Sequence, residues 1–162
     1  MTIRLWSLGS GLQLTQLPAS QAPLSTLAVA RTGRLLAAAG EDGVIRWWDL
    51  ATERPLRQFV GHAGPVRSLA FAPDCQSLAS CGADGFIKLW EVSSGTELRR
   101  LTGHRGNVQA VAFSPDGQRL ITGGDDATVR LWLAATGQPL SRWEKHHQSV
   151  EAVAFSPDGR TV

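Results

Sequence analysis

Tyrosine is absent from the 162 residues, methionine occurs once, and there are only two cysteines, Cys75 and Cys81. Two cysteines cannot build a disulfide framework, so a reducing compartment and a cytoplasmic location are expected. Long apolar runs are missing as well. None approaches the ~18 residues of a membrane span, and residues 1–20 lack the charged start and apolar stretch of a secretion signal. Neither sign of charge dominates: 16 Lys and Arg against 14 Asp and Glu give a net +2. That balance is too mild to argue for nucleic acid or a membrane surface. Helical spacing over ~11 residues is lacking, which excludes an α-rich domain. What is present is a chain 43% hydrophobic, in short runs, with 17 Gly, 8 Pro and six Trp. Such a composition excludes disorder and describes one domain of tight turns around large apolar anchors.

One period organises these residues. Trp6, Trp48, Trp90 and Trp132 are spaced 42 apart, and His62, His104 and His146 keep that interval. So do Asp42, Asp84 and Asp126; Phe71, Phe113 and Phe155; and Pro73, Pro115 and Pro157. Each repeat reads as four short strands. In the third copy Val108–Phe113 alternates apolar with small or polar residues, the mark of a strand. Ser114-Pro-Asp-Gly117 supplies a hairpin turn, because Pro presets φ, Asp caps the turn and Gly takes the left-handed position. A second strand is expected over Gln118–Thr122, a tight turn over Gly123–Asp126, a third strand over Ala127–Trp132, and a fourth around Pro139–Trp143. This is an all-β chain.

A four-stranded repeat of ~40–45 residues, with Gly-His near its start and Trp near the end of its third strand, has the form of a propeller blade. The sequence resembles the WD-repeat β-propeller family through Gly61-His62…Asp84…Trp90-Glu91, Gly103-His104…Asp126…Trp132-Leu133 and Asp42…Trp48-Asp49. The resemblance covers essentially the whole chain and implies antiparallel blades, about three complete and two partial. Residues 1–18 would be the last two strands of a preceding blade. Residues 19–60, 61–102 and 103–144 would be blades 1 to 3, blade 1 being degenerate. Residues 145–162 would supply the first strand and the start of the second strand of a further blade.

His62, Ser80, Asp84 and Trp90, and again His104, Thr122, Asp126 and Trp132, contain the composition of a Ser/His/Asp hydrolase site. The set recurs, accepts Thr for Ser, and includes a Trp with no role in acyl transfer. The resemblance implies a structural tetrad instead: Trp N–H to hydroxyl, hydroxyl to His, His to Asp. No catalytic residue is assigned, and the chain is read as not an enzyme. In blade 1, Asp42 and Trp48 remain, but Ser20 replaces His and Ala38 replaces Ser or Thr. That network is expected to be broken or completed by water. His146 is the periodic histidine of the further blade.

Cys75 stands where Gly117 and Gly159 occupy the same turn, and is expected to be a strained turn residue; Cys81 reads as a small buried thiol. Adjacent His146 and His147 diverge on an extended segment, so neither a metal nor another cofactor is expected. Trp47 and Trp143, at positions where other repeats carry Leu or Phe, read as packing substitutions. The candidate partner-binding rim comprises Arg67, Gln109 and Glu151, together with Asn107, Ser149, Glu41 and Asp125.

The resemblance therefore implies a non-catalytic scaffold that binds partner proteins or peptides on a propeller rim. The alternative is the regulatory propeller segment of a larger signalling enzyme whose catalytic domain lies outside this chain. Such propellers close with about seven blades, more than this length supplies. Either the sequence is a fragment, or two copies close an eight-bladed homodimeric ring.

Overall fold

The computed structural model describes all 162 residues and contains no helix. Strands β1 (Thr2–Trp6) and β2 (Gln13–Pro18) form a two-stranded hairpin. Three four-stranded sheets follow. The first holds β3 (Leu24–Val29), β4 (Leu35–Gly40), β5 (Val44–Asp49) and β6 (Arg54–Val60). The second holds β7 (Val66–Phe71), β8 (Ser77–Gly82), β9 (Ile87–Glu91) and β10 (Glu97–Leu101). The third holds β11 (Val108–Phe113), β12 (Arg119–Gly124), β13 (Val129–Leu133) and β14 (Pro139–Trp143). Every strand pairs antiparallel with its chain neighbour, so each sheet is a meander.

Burial peaks on the second strand of each sheet and is least on the outermost strand of the first and third. β4, β8 and β12 are buried along nearly their whole length, whereas β6 and β14 are largely exposed. The core lies between sheets rather than within any one of them. Trp48 packs with Ile3 and Leu17 of the preceding hairpin, Trp90 with Ile45 and Trp47 of the first sheet, and Trp132 with Ile87 and Leu101 of the second. Each periodic tryptophan thus covers the face of the sheet before it, and stability is shared along the stack. Trp6, on the first hairpin, is 56% exposed.

Antiparallel order puts the first–second and third–fourth turns at one end of each sheet. The second–third turn and the connection to the next sheet share the other end, which also carries the histidines. In the third sheet the expected turn over Gly123–Asp126 starts two residues later, because Gly123 and Gly124 still pair with Ala110 and Val108. The first strand expected near Val150–Phe155 does not form. Val150 donates its amide to Gly124 O and its side chain packs on Ile121, but residues 151–155 form no ladder with a neighbouring strand.

Three turn registers require a left-handed residue once per repeat, and each register contains one non-glycine. Glu53 (φ 57°), Cys75 (φ 59°) and Ala127 (φ 57°) stand where the other copies have Gly95 and Gly137, Gly33 and Gly117, and Gly43 and Gly85. Trp47 is buried edge-on against Phe59, with ring centroids 5.3 Å apart. Trp143 differs from its expected role: it lies on outer strand β14 and is 38% exposed.

Candidate functional site

Two complete tetrads occupy the second and third sheets. Trp90 Nε1 donates to Ser80 Oγ at 2.8 Å, Ser80 Oγ lies 2.7 Å from His62 Nε2, and His62 Nδ1 lies 2.8 Å from Asp84 Oδ1. In the third sheet the matching distances are 2.9 Å for Trp132 to Thr122, 2.8 Å for Thr122 to His104, and 2.9 Å for His104 to Asp126. Asp84 and Asp126 also accept the amides of Ala63 and Arg105, fastening the inter-sheet connection. The chain of donors has one direction, from indole to hydroxyl to imidazole to carboxylate. It requires a neutral histidine, since Nε2 must accept the hydroxyl proton.

The titration behaviour agrees with this. Burial holds His62 and His104 below the ordinary imidazole range, outweighing the opposite pull of Asp84 and Asp126. Burial raises Asp84 and Asp126, but hydrogen bonds from the histidines and backbone amides more than offset it, so both stay below the ordinary carboxylate range. Ser80 and Thr122 are fully buried, and each hydroxyl oxygen already accepts an indole N–H. Their surroundings leave no approach for a substrate carbonyl.

The first sheet lacks this chain. Ser20 Oγ donates to Asp42 Oδ2 at 3.1 Å, Arg46 Nη2 reaches the same carboxylate at 2.7 Å, and Trp48 Nε1 is buried with no partner. His146 is exposed and joins no tetrad. Sequence reading missed a sixth periodic series, the cations Arg46, Lys88 and Arg130, although they keep the same interval. Arg130 Nη2 lies 3.4 Å from Asp126, as Arg46 lies against Asp42, whereas Lys88 turns to Gly61 O and to Glu97.

The rim candidates gather at the tetrad end through a feature invisible in the sequence. Each first strand has a register shift: Val66 faces Gly82 and Ser68 faces Cys81, while Val108 faces Gly124 and Ala110 faces Gly123. Arg67 and Gln109 are therefore the extra residues of β-bulges, as is Ser25 in the first sheet. A bulge removes its residue from the ladder and re-aims the side chain. Arg67 Nη1 reaches Glu41 of the preceding sheet at 3.3 Å. Gln109 Nε2 and Ser149 Oγ both donate to Asp125 Oδ1, at 2.7 and 2.9 Å, and the Asp125 amide donates to Asn107 O. Hydrogen bonds from Gln109, Ser149 and the Asn107 backbone hold the Asp125 carboxyl below its usual range against the opposing effect of burial, with Arg67 adding a longer-range attraction. Arg67 Nε is buried without a partner. Glu151 is exposed and makes no ion pair.

No group of three or more His, Cys, Asp and Glu side chains is placed to hold a metal ion. Both cysteines are free, and burial pushes the Cys81 thiol up, away from reactivity.

Comparison with known proteins fits the same periodic frame. The family model described as WD domain, G-beta repeat matches residues 11–49, 53–91, 95–132 and 137–162. No curated protein matches the chain. The matched repeats are offset from the sheets. Residues 53–91 begin on outer strand β6 of one sheet and end on β9 of the next, so each sequence repeat covalently links two sheets.

Proposed function

The chain belongs to the WD40 repeat family, and from that premise we propose that it is a non-catalytic scaffold presenting its tetrad-end rim to partner proteins or peptides. Repeats of this family typically lack catalysis and generally mediate protein–protein interaction. The observation that carries the reading is the run of bulged residues. Arg67 and Gln109 are lifted from successive first strands and set beside Glu41, Asp125 and Ser149, giving a polar surface that crosses sheet boundaries. The exposed carboxylate of Glu151 makes no ion pair. The tetrads hold this rim rigid by tying each connection to the turn beside it, and rigidity limits the entropy lost when a partner docks. The two free thiols support a reducing, cytoplasmic setting.

Affinity capture with the wild-type chain and an Arg67→Ala/Gln109→Ala/Glu151→Ala variant tests the reading. The variant is expected to melt like wild type and to lose the captured partner. Equal recovery from both would remove the rim as the binding surface.

A further inference from the structure

The end of the sheets opposite the tetrads carries a second repeating feature. A cleft of about 320 Å³ between the first and second sheets is lined by Trp47, Leu56, Arg57 and Phe71. One period later a cleft of about 520 Å³ between the second and third sheets is lined by their counterparts Leu89, Leu98, Arg99 and Phe113. The larger volume goes with leucine in place of an indole on the third strand. Above each cleft an outer-strand leucine faces solvent: Leu56 is 52% exposed and Leu98 46%, although both lie on sheets with neighbours on either side. The two flanking outer strands repeat the feature with Leu14 and Leu140. Two neighbouring positions of that strand differ between copies, Pro55 against Glu97 and Gln58 against Arg100, while the exposed leucine recurs in every copy, with a cleft beside Leu56 and Leu98.

Charge decides what covers Leu98. The turns at the mouth of the larger cleft bring Asp74 and Asp116 to it, against the single guanidinium of Arg99. Each aspartate uses its Oδ1 in its own turn, Asp116 accepting Ser114 Oγ and the Gln118 amide and Asp74 the Gln76 amide; beyond this Asp116 has a 3.9 Å contact to Arg119 and Asp74 has no ion pair. We propose that the cleft between the second and third sheets is a separate peptide-binding site, taking an aliphatic side chain flanked by a lysine or arginine of a partner protein. The aliphatic group covers Leu98 and enters between Leu89 and Phe113, and the cation pairs with Asp74 and Asp116. The smaller cleft, filled by Trp47 and bearing Arg57 without either aspartate, does not accept it. The inference rests on the reading of the chain as a binding scaffold, but uses the opposite end of the sheets.

The test is an NMR titration of the isotope-labelled chain with acetyl-Ala-Leu-Lys-Ala-amide, and with peptides carrying Glu for Lys or Ala for Leu. Saturable shifts at Leu89, Leu98 and Phe113 are expected with the first peptide. Binding should be about fivefold weaker with the Glu peptide or in Asp74→Asn/Asp116→Asn. Leu98→Ala, which removes the half-exposed leucine that the ligand covers, should melt normally and abolish the shifts at Leu89 and Phe113. No saturable shift in the folded chain, or equal response to the Lys and Glu peptides, overturns the proposal. The Arg67→Ala/Gln109→Ala/Glu151→Ala variant separates the two readings. If it loses the captured partner yet keeps the peptide shifts, both sites stand; if the wild-type peptide shifts are missing while partner capture depends on the rim, only the cleft falls.

Discussion

The indole N–H of Trp48 is buried against Ala38, a side chain with no atom to accept it. One period on, Trp90 Nε1 has Ser80 Oγ at 2.8 Å, and two periods on, Trp132 has Thr122 at 2.9 Å. The first sheet keeps the same strand order, but the hydroxyl acceptor and the histidine behind it are both missing. An unsatisfied buried donor carries a desolvation penalty of about 1–3 kcal/mol, so the first sheet is the weak member of the stack.

Ala38→Ser combined with Ser20→His should restore the chain from Trp48 to Asp42. The pair is expected to raise stability by about 1–2 kcal/mol in urea unfolding. Ala38→Ser alone should give less, because its hydroxyl would lack the imidazole acceptor. A loss of stability in the double variant would show that the first sheet has repacked around the missing network.

Asp84→Ala acts in the opposite direction. It strips the acceptor from His62 Nδ1 and from the amides of Ala63 and Phe86. A loss of about 2–3 kcal/mol is expected, read as a lower melting temperature. Ester hydrolysis by the wild-type chain that disappears in a normally melting Ser80→Ala variant would instead reinstate the hydrolase reading.

The period made the recurring tryptophans, histidines and aspartates legible and alternation made the strands so, while the tetrad they join with Ser80 and Thr122 came from the family resemblance. The bulges at Arg67 and Gln109 were not legible: a bulge is a mismatch between two strands and leaves no mark on either one. The missing strand after Val150 was hidden for a similar reason. Val150–Phe155 has the alternation of a strand, but a strand exists only with a partner ladder. Trp143 read as a packing substitution because Leu17, Phe59 and Leu101 hold its position in the other copies; its exposure depends on what lies across β14, which no local pattern encodes.

The tetrads also set a pH response. His62 and His104 are held below 6.5, so the unfolded chain binds protons that the folded chain refuses. Their contribution is complete above about pH 6.5 and is lost as pH falls through their depressed folded values. Asp84 and Asp126, held below 3.8, add a further loss under more acidic conditions. Melting temperature should therefore be level between pH 7 and 8, about the neutral range, decline below pH 6.5, and fall further below pH 3.8. A His62→Gln/His104→Gln variant should lose the upper decline and keep the lower one.

Ala127→Gly should stabilise. At φ 57° alanine occupies the left-handed region that Gly43 and Gly85 fill in the other copies. Relief of about 1 kcal/mol is expected, less the added freedom of glycine in the unfolded chain. A higher urea midpoint at unchanged slope would establish it.

Three residues earlier the same exchange in reverse should be severe. Gly124 ends β12 under the connecting loop, where a Cβ would lie 2.8 Å from Asn107 O and 2.9 Å from His104 Nδ1. Gly82 is confined in the same way, by Pro65 O at 2.6 Å and the His62 ring. The left-handed turn thus punishes a methyl through the backbone, whereas here the methyl collides with the histidine on which the tetrad depends. Gly124→Ala is expected to cost about 2–3 kcal/mol by overpacking and to shift the His104 ring resonances as the imidazole is displaced. An unchanged His104 spectrum in a stable variant would show that the loop yields instead, and that the close fit of glycine to imidazole does not hold the tetrad in place.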